Sequence, residues 1–156
     1  MGAIILVLAP SFGLLAILLI APLGIVLFRS VQEKSLLLRA NREFALRHKS
    51  GVLIYSSSPN WQGYIEENWL PRLGESLIVL NYSERRAWLR KSIAVRMFDT
   101  FVGGGYQYNP AVILLRGTHA PLVFRFYQAF KNAKHGKTAA LRELETEMFQ
   151  HLSRAG

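Results

Sequence analysis

Residues 110–127 read PAVILLRGTHAPLVFRFY. Ala111–Arg116 is an apolar run, and Leu122–Tyr127 is a second run rich in β-formers. Between them, Gly117-Thr118-His119-Ala120-Pro121 has the length and composition of a hairpin connection. This stretch therefore predicts two antiparallel strands. Upstream, Val52–Ser56 (VLIYS) and Leu77–Leu80 (LIVL) are short apolar runs without alternation, as expected of strands buried on both faces. A helical pattern separates them, which predicts a parallel pair joined by a crossover.

The helices are read from their caps and stripes. Ser58 suits an N-cap and Pro59 a first helical position, and Trp61, Ile65 and Trp69 follow at i, i+4 and i+8. Pro71 and Gly74 end or kink that helix. Ser83 is the expected cap of a second helix over 84–101. Trp88, Val95 and Phe98 would face a core, and Arg85, Arg86, Arg90, Lys91 and Arg96 would make the outer face basic. Gly103-Gly104-Gly105 stops it, and a loop, 106–109, leads to Pro110. Residues 128–137 read as a basic connection. A last helix over 138–152 carries Leu141, Leu144, Met148 and Leu152 on one stripe. The order is β-α-β-α-β-β-α, an α/β domain with one sheet covered on both faces.

The chain of 156 residues has 19 basic and 10 acidic side chains, and none of them precedes Arg29. Residues 3–28 run AIILVLAPSFGLLAILLIAPLGIVLF. As a helix, this segment would measure about 39 Å at ~1.5 Å per residue, enough to cross a bilayer once with tilt. A cleaved signal peptide would call for a charged start and a shorter apolar core. The expectation is a single-pass transmembrane anchor over 1–28, a basic juxtamembrane helix over 29–50 and the α/β domain over 51–156. Arg29, Lys34, Arg39, Arg42, Arg47 and Lys49 follow the span, which predicts an N-terminus outside and a cytoplasmic domain. These bases either fix topology or attract anionic lipid.

A proline just before the third strand, a helix ending in Leu70-Pro71, and this element order resemble the thioredoxin-like superfamily, in its four-stranded form. In that family the loop after the first strand carries a redox Cys-x-x-Cys and faces a cis-proline that binds substrate backbone. Carried onto this chain, the resemblance implies a groove between Ser56-Ser57-Ser58-Pro59-Asn60-Trp61 and Tyr108-Asn109-Pro110. The departure is in the chemistry. The chain has no cysteine, so thiol redox chemistry, disulfides and thiolate metal sites are excluded. A small Rossmann-like sheet with one antiparallel edge is the competing architecture.

Other signals are weaker than their ordinary readings. His135-Gly136-Lys137-Thr138 resembles the end of a P-loop, but Lys131 stands where its first glycine belongs, and a turn with a capping threonine accounts for it. The three glycines could form an anion nest but more often end a helix. Ser56, Ser57 and Ser58 could offer a nucleophile with His119 or His135 as base, yet no nucleophile-elbow motif surrounds them. The histidines lack metal-ligand spacing, and no cofactor signature is present. Arg85, Arg86, Arg90 and Lys91 form a candidate basic surface. Without a nucleic-acid motif, it fits an acidic partner or anionic lipid better than nucleic acid.

The expected function is a membrane-tethered, non-catalytic protein-interaction domain at the cytoplasmic face. The alternative is an enzyme or small-ligand binder that uses the groove between Ser56–Asn60 and Pro110. Direct binding of a lipid surface by the basic helix is a third reading.

Overall fold

The computed structural model of the chain describes residues 9–103 and 109–155, the side chains of 9–23 and of Ala155 excepted. It divides into two compact units, 1–35 and 36–156. Among the described residues there are six α-helices, a 3-10 turn and four strands, in the order α1 (Ala9–Leu46), β1 (Gly51–Tyr55), α2 (Gln62–Asn68), α3 (Leu70–Leu73), β2 (Leu77–Asn81), the 3-10 turn Tyr82–Glu84, α4 (Ile93–Phe101), β3 (Ala111–Arg116), β4 (His119–Arg125), α5 (Tyr127–Lys134) and α6 (Ala139–Ala155).

The four strands form one mixed sheet in the order β2-β1-β3-β4. β1 runs parallel to β2 and antiparallel to β3, and β3 runs antiparallel to β4. Every residue of β1 is buried. Alternation along it divides the interior into two cores. Leu53 and Tyr55 join Val112, Leu114 and Phe124 under α2, α3, α5 and α6, with Trp69 and Phe126 at the centre. Val52 and Ile54 join Ala111 and Ile113 under α4 and the last turns of α1. Gly51 opens β1 where a Cβ would run into the Ile113 carbonyl, so the close approach of β1 and β3 requires a residue without a side chain. The β3–β4 hairpin turns at Gly117, whose φ of 60° suits glycine. The Asn109-Pro110 peptide bond is cis.

The C-terminal part of α1 belongs to this second unit. Leu36, Leu37, Ala40 and Phe44 are buried on one stripe, while Leu38 and Leu46 face outward. The helix closes at His48, which takes a left-handed conformation at φ 53°, with the Lys49 amide donating to the Phe44 carbonyl at 2.8 Å. Lys49 Nζ then donates to the carbonyls of Gly74 and Glu75, tying the entry of β1 to that of β2. The unit thus begins at Leu36, ahead of the expected boundary at residue 51, with the stretch 36–46 as a core-forming element.

The membrane expectation is corrected. Among the described residues no helix is long and apolar enough to cross a membrane. Residues 3–8 of the expected span, and the side chains of 9–23, lie outside the described residues. The transmembrane helix in the expected fold class, the single-pass topology, and the cytoplasmic placement fall together.

Three local expectations also change. Ser58 does not cap a helix: its carbonyl closes a turn onto Trp61 and Gln62, and α2 begins at Gln62. The helix expected over 84–101 is only α4. Its cap is Ser92, extended at φ −64° and ψ 144°, with Oγ accepting from the Val95 amide at 3.3 Å. The stretch 85–91 is a chain of turns. Finally, the basic connection over 128–137 contains α5, which buries Ala129 and Phe130, and β4 ends at Arg125.

Phe44 is 1% exposed in the core beneath the sheet. Phe44→Ala should therefore lower stability by about 3–5 kcal/mol in urea denaturation. A loss no larger than that of the exposed control Leu46→Ala would place residues 36–46 outside the cooperative fold.

Candidate functional site

β1 and β2 end side by side, and the loops that leave them meet the segment entering β3. Short polar side chains gather there because strand ends leave backbone groups without ladder partners. The Ser56 hydroxyl donates to Asn109 Oδ1 at 2.8 Å and accepts from Trp61 Nε1 at 3.2 Å. The Ser57 amide donates to Ser83 Oγ at 3.0 Å, and Ser57 Oγ accepts from Asn81 Nδ2 at 3.2 Å. Ser58 Oγ accepts from the Asn60 amide at 3.3 Å. Asn60 Oδ1 in turn accepts from Lys134 Nζ at 3.0 Å. Pro110 is buried, and its carbonyl accepts from the Phe126 amide at 2.9 Å.

Ser56, Ser57, Ser58, Asn60, Trp61, Asn109 and Pro110 are therefore brought together, while Tyr108 lies outside the described residues, as do Tyr106 and the last two glycines of the triplet. The arrangement is a latch between loops. The Ser56 oxygen faces an amide carbonyl, which cannot take its proton as a base would. His119 sits at the turn end of the hairpin, opposite Arg116, and the strand from Arg116 back to Ala111 alone spans about 17 Å at ~3.3 Å per residue, with the latch beyond it. His135 is nearer. It lines a cavity of about 310 Å³ with Asn60, Trp61, Tyr127, Lys131 and Lys134. No hydrogen bond joins it to a serine among the described residues. Among these residues no group of three His, Cys, Asp or Glu side chains could hold a metal ion.

Sequence reasoning misses two features. The first is the cavity just described, because half of its wall comes from α5, which β-forming residues conceal in the sequence. The second is an open groove of about 880 Å³ between α2–α3 and α6. Glu145 reaches across it and accepts from Trp69 Nε1 at 2.6 Å and from the Tyr64 hydroxyl at 3.1 Å. Trp69 is fully buried, so this bond supplies the partner its indole N–H needs. Beside it the Arg72 guanidinium lies 3.5 Å over the Phe149 ring. Burial, with the Glu145 hydrogen bond and charge behind it, pushes Tyr64 up to about 12. Tyr55 is raised in the same way, by burial first and by its bond to Glu66 second.

Of the candidate basic surface, Arg85, Arg86 and Arg90 line one cavity of about 270 Å³ beneath the 82–92 turn, and Lys91 is exposed outside its walls. Trp61 and Trp69 are both buried core side chains.

No protein-family model matches the chain, and no curated protein or solved structure matches it either.

Ser56→Ala should cost about 1–3 kcal/mol of stability, since it leaves the Asn109 oxygen and the Trp61 N–H unpaired. Chemical denaturation checks this, and no change would mean that the latch is closed by water instead. The Tyr64 shift has a definite sign. The folded chain holds this proton more tightly than an unfolded chain whose tyrosine titrates near 10. Stability is thus undiminished below pH 10 and falls as pH rises from 10 toward 12. Glu145→Gln should bring Tyr64 down from about 12 without returning it to 10, because burial remains when the carboxylate is gone. A tyrosinate absorbance titration reads this directly, and identical curves for both proteins would contradict it.

Proposed function

We propose that this chain is a non-catalytic interaction module of thioredoxin-like architecture that takes a protein partner along the free edge of β2. Support for the architecture comes from the strand order β2-β1-β3-β4, with one parallel and two antiparallel pairings. It comes also from the meeting of the loop after β1 with the segment before β3. Both are what the resemblance implies for a member without cysteines.

The observation that carries the interaction is the contrast between the two sheet edges. β4, at one edge, holds His119, Pro121 and Arg125. A proline and charges on an edge strand discourage pairing with another chain. β2, at the other edge, reads LIVLN, with no charge and no proline. Val79, at its centre, is 38% exposed. Among the described residues, no backbone group of 77–80 bonds to any element but β1. An extended segment of a partner can add to such an edge, with main-chain hydrogen bonds for affinity and side-chain contacts for selectivity.

The alternative, an enzyme or small-ligand binder at the groove between Ser56–Asn60 and Pro110, has less support. The serine hydroxyls there bond to neighbouring amides and to the Trp61 indole, and the Ser56–Asn109 bond draws the two walls together.

Val79→Lys tests the edge. The substitution should change stability by no more than about 1 kcal/mol, because the position is on an edge strand and partly exposed. The partner captured from native cells by the wild-type chain should be lost by the variant. In the complex, amide exchange at 77–80 should slow. Retention of the partner by Val79→Lys, with exchange at β2 unaltered, would place the interaction elsewhere.

A further inference from the structure

The turn 82–92 carries a feature that protein docking at β2 does not use. The Trp88 indole donates to the Asn81 carbonyl at 3.1 Å, which draws the turn down at the end of β2. Its ring meets Tyr82 at 5.7 Å and Phe98 at 5.4 Å, both edge to face. Tyr82, Trp88, Phe98 and Val95 form the floor of the 270 Å³ cavity, and Arg85, Arg86 and Arg90 stand around it. Asp99, on α4, is the one acidic residue in its walls.

The charges in these walls are not neutralised from within. Among the described residues the only ion pair is Arg47 with Glu43, so none of the three guanidiniums has a carboxylate within bridging distance. Arg86 and Arg90 make no hydrogen bond with any described residue. Arg85 is held in place, with Nη1 donating to the Tyr82 carbonyl at 3.4 Å and Cζ lying 4.6 Å over the Tyr82 ring. Its remaining N–H groups stay available. Three arginines against one aspartate leave the walls with two positive charges in excess.

We propose that this cavity binds a small phosphate monoester. The charge decides the class. A phosphate monoester carries close to two negative charges at neutral pH and three acceptor oxygens, whereas a carboxylate brings one charge. Guanidinium forks match phosphate oxygens in pairs. The aromatic wall accounts for an ester rather than free phosphate as the better ligand, because a ring-bearing group can lie against the partly exposed Trp88. The volume limits that group, since it falls just below the ~300–1,000 Å³ typical of pockets for drug-sized ligands. The three arginines all come from one short turn, unlike the extended basic groove that tracks a nucleic-acid backbone. The phosphate could arrive on a soluble metabolite or on a lipid headgroup, and the cavity's chemistry is the same for both.

The full chain, nitrogen-15 labelled, can be titrated with phenyl phosphate and separately with inorganic phosphate, with ionic strength held constant by chloride. The indole N–H resonance of Trp88, identified by Trp88→Phe, is the readout, and those of Trp61 and Trp69 report whether the fold is intact. The expected result is a saturable shift at Trp88 with both ligands, tighter for phenyl phosphate. The double variant Arg86→Gln, Arg90→Gln should weaken binding about tenfold or more. Asp99→Asn, at an exposed position on α4, should tighten it, a change that damage to the fold would not produce. No saturable shift with either ligand, an unchanged affinity in the arginine variant, or an Asp99→Asn that binds no more tightly would each overturn the proposal. Where phenyl phosphate binds, sedimentation with phosphatidylcholine vesicles, with and without phosphatidylinositol 4-phosphate, assigns the source. Pelleting that requires the phosphorylated lipid and is reversed by phenyl phosphate assigns the headgroup, and its absence assigns a soluble ester.

Discussion

Strand β1 has a partner on each edge and a core on each face, and the rest of the second unit is arranged by that constraint. Its five residues are all buried. Leu53 and Tyr55 point into one core, Val52 and Ile54 into the other. A slip of one residue in its register would exchange the two sets and place Tyr55, whose hydroxyl bonds to Glu66, under α1 and α4 instead of beside α2. Gly51 fixes the start of that register, because any side chain there meets the Ile113 carbonyl. The neighbours inherit the pattern. Val112 and Leu114 lie on the Leu53 face and Ile113 on the other, as their pairing with β1 dictates.

This dependence explains which parts of the fold were legible in the sequence. VLIY and AVILL are unbroken apolar runs because strands buried on both faces tolerate no polar alternation, LIVL reads the same way although only Leu77 of β2 is buried, and all three lie close to where the runs predict them. The stripe of Leu141 and Met148 on α6 was legible for the same reason. The 84–92 segment was not. Ser83 and Ser92 both precede residues able to form a helix, and local chemistry does not choose between them. The choice is made by Trp88, whose indole finds the Asn81 carbonyl and whose ring finds Phe98, contacts that a continuous helix from 84 would rearrange. α5 was hidden in another way. Phe126, Ala129, Phe130 and Ala133 have helical spacing, but they follow the β-forming run LVFRF without a break. The helix expected over 29–50 is the C-terminal part of α1, which ends at Leu46, while the destination of Leu36, Leu37, Ala40 and Phe44 under the sheet depends on Val52, Ile54 and Ile113, which lie further along the chain.

The candidate site was legible as a place more than as a chemistry. Serines and asparagines at 56–60 and 109 mark the ends of strands, and they do meet. What no local pattern could reveal is how completely they satisfy one another: Ser56 with Asn109 and Trp61, Ser57 with Asn81, Asn60 with Lys134. A hydroxyl that both donates and accepts within the protein is poorly prepared to attack a substrate, since breaking those bonds adds to the barrier. The cluster instead gives the loops the hydrogen bonds that the ladders cannot extend to them.

The same accounting directs attention to the β2 side of the sheet. The centre of the sheet cannot carry function, because β1 is enclosed on all sides. The serine loops are closed on themselves, and β4 is blunted by Pro121. β2 has one neighbour and no blunting residue, and it runs directly into the turn that brings three guanidiniums, none in an ion pair among the described residues, around an aromatic floor. Asn81 joins the two features. It is the last residue of β2, its side chain bonds to Ser57 and Glu84 and accepts from the Ser83 amide, and its carbonyl holds Trp88. The end of the free strand and the floor of the arginine cavity are thus fixed by one residue. A ligand that stiffens the turn and a partner that extends the sheet would both act on Asn81, so energetic coupling between them requires no motion of the buried core.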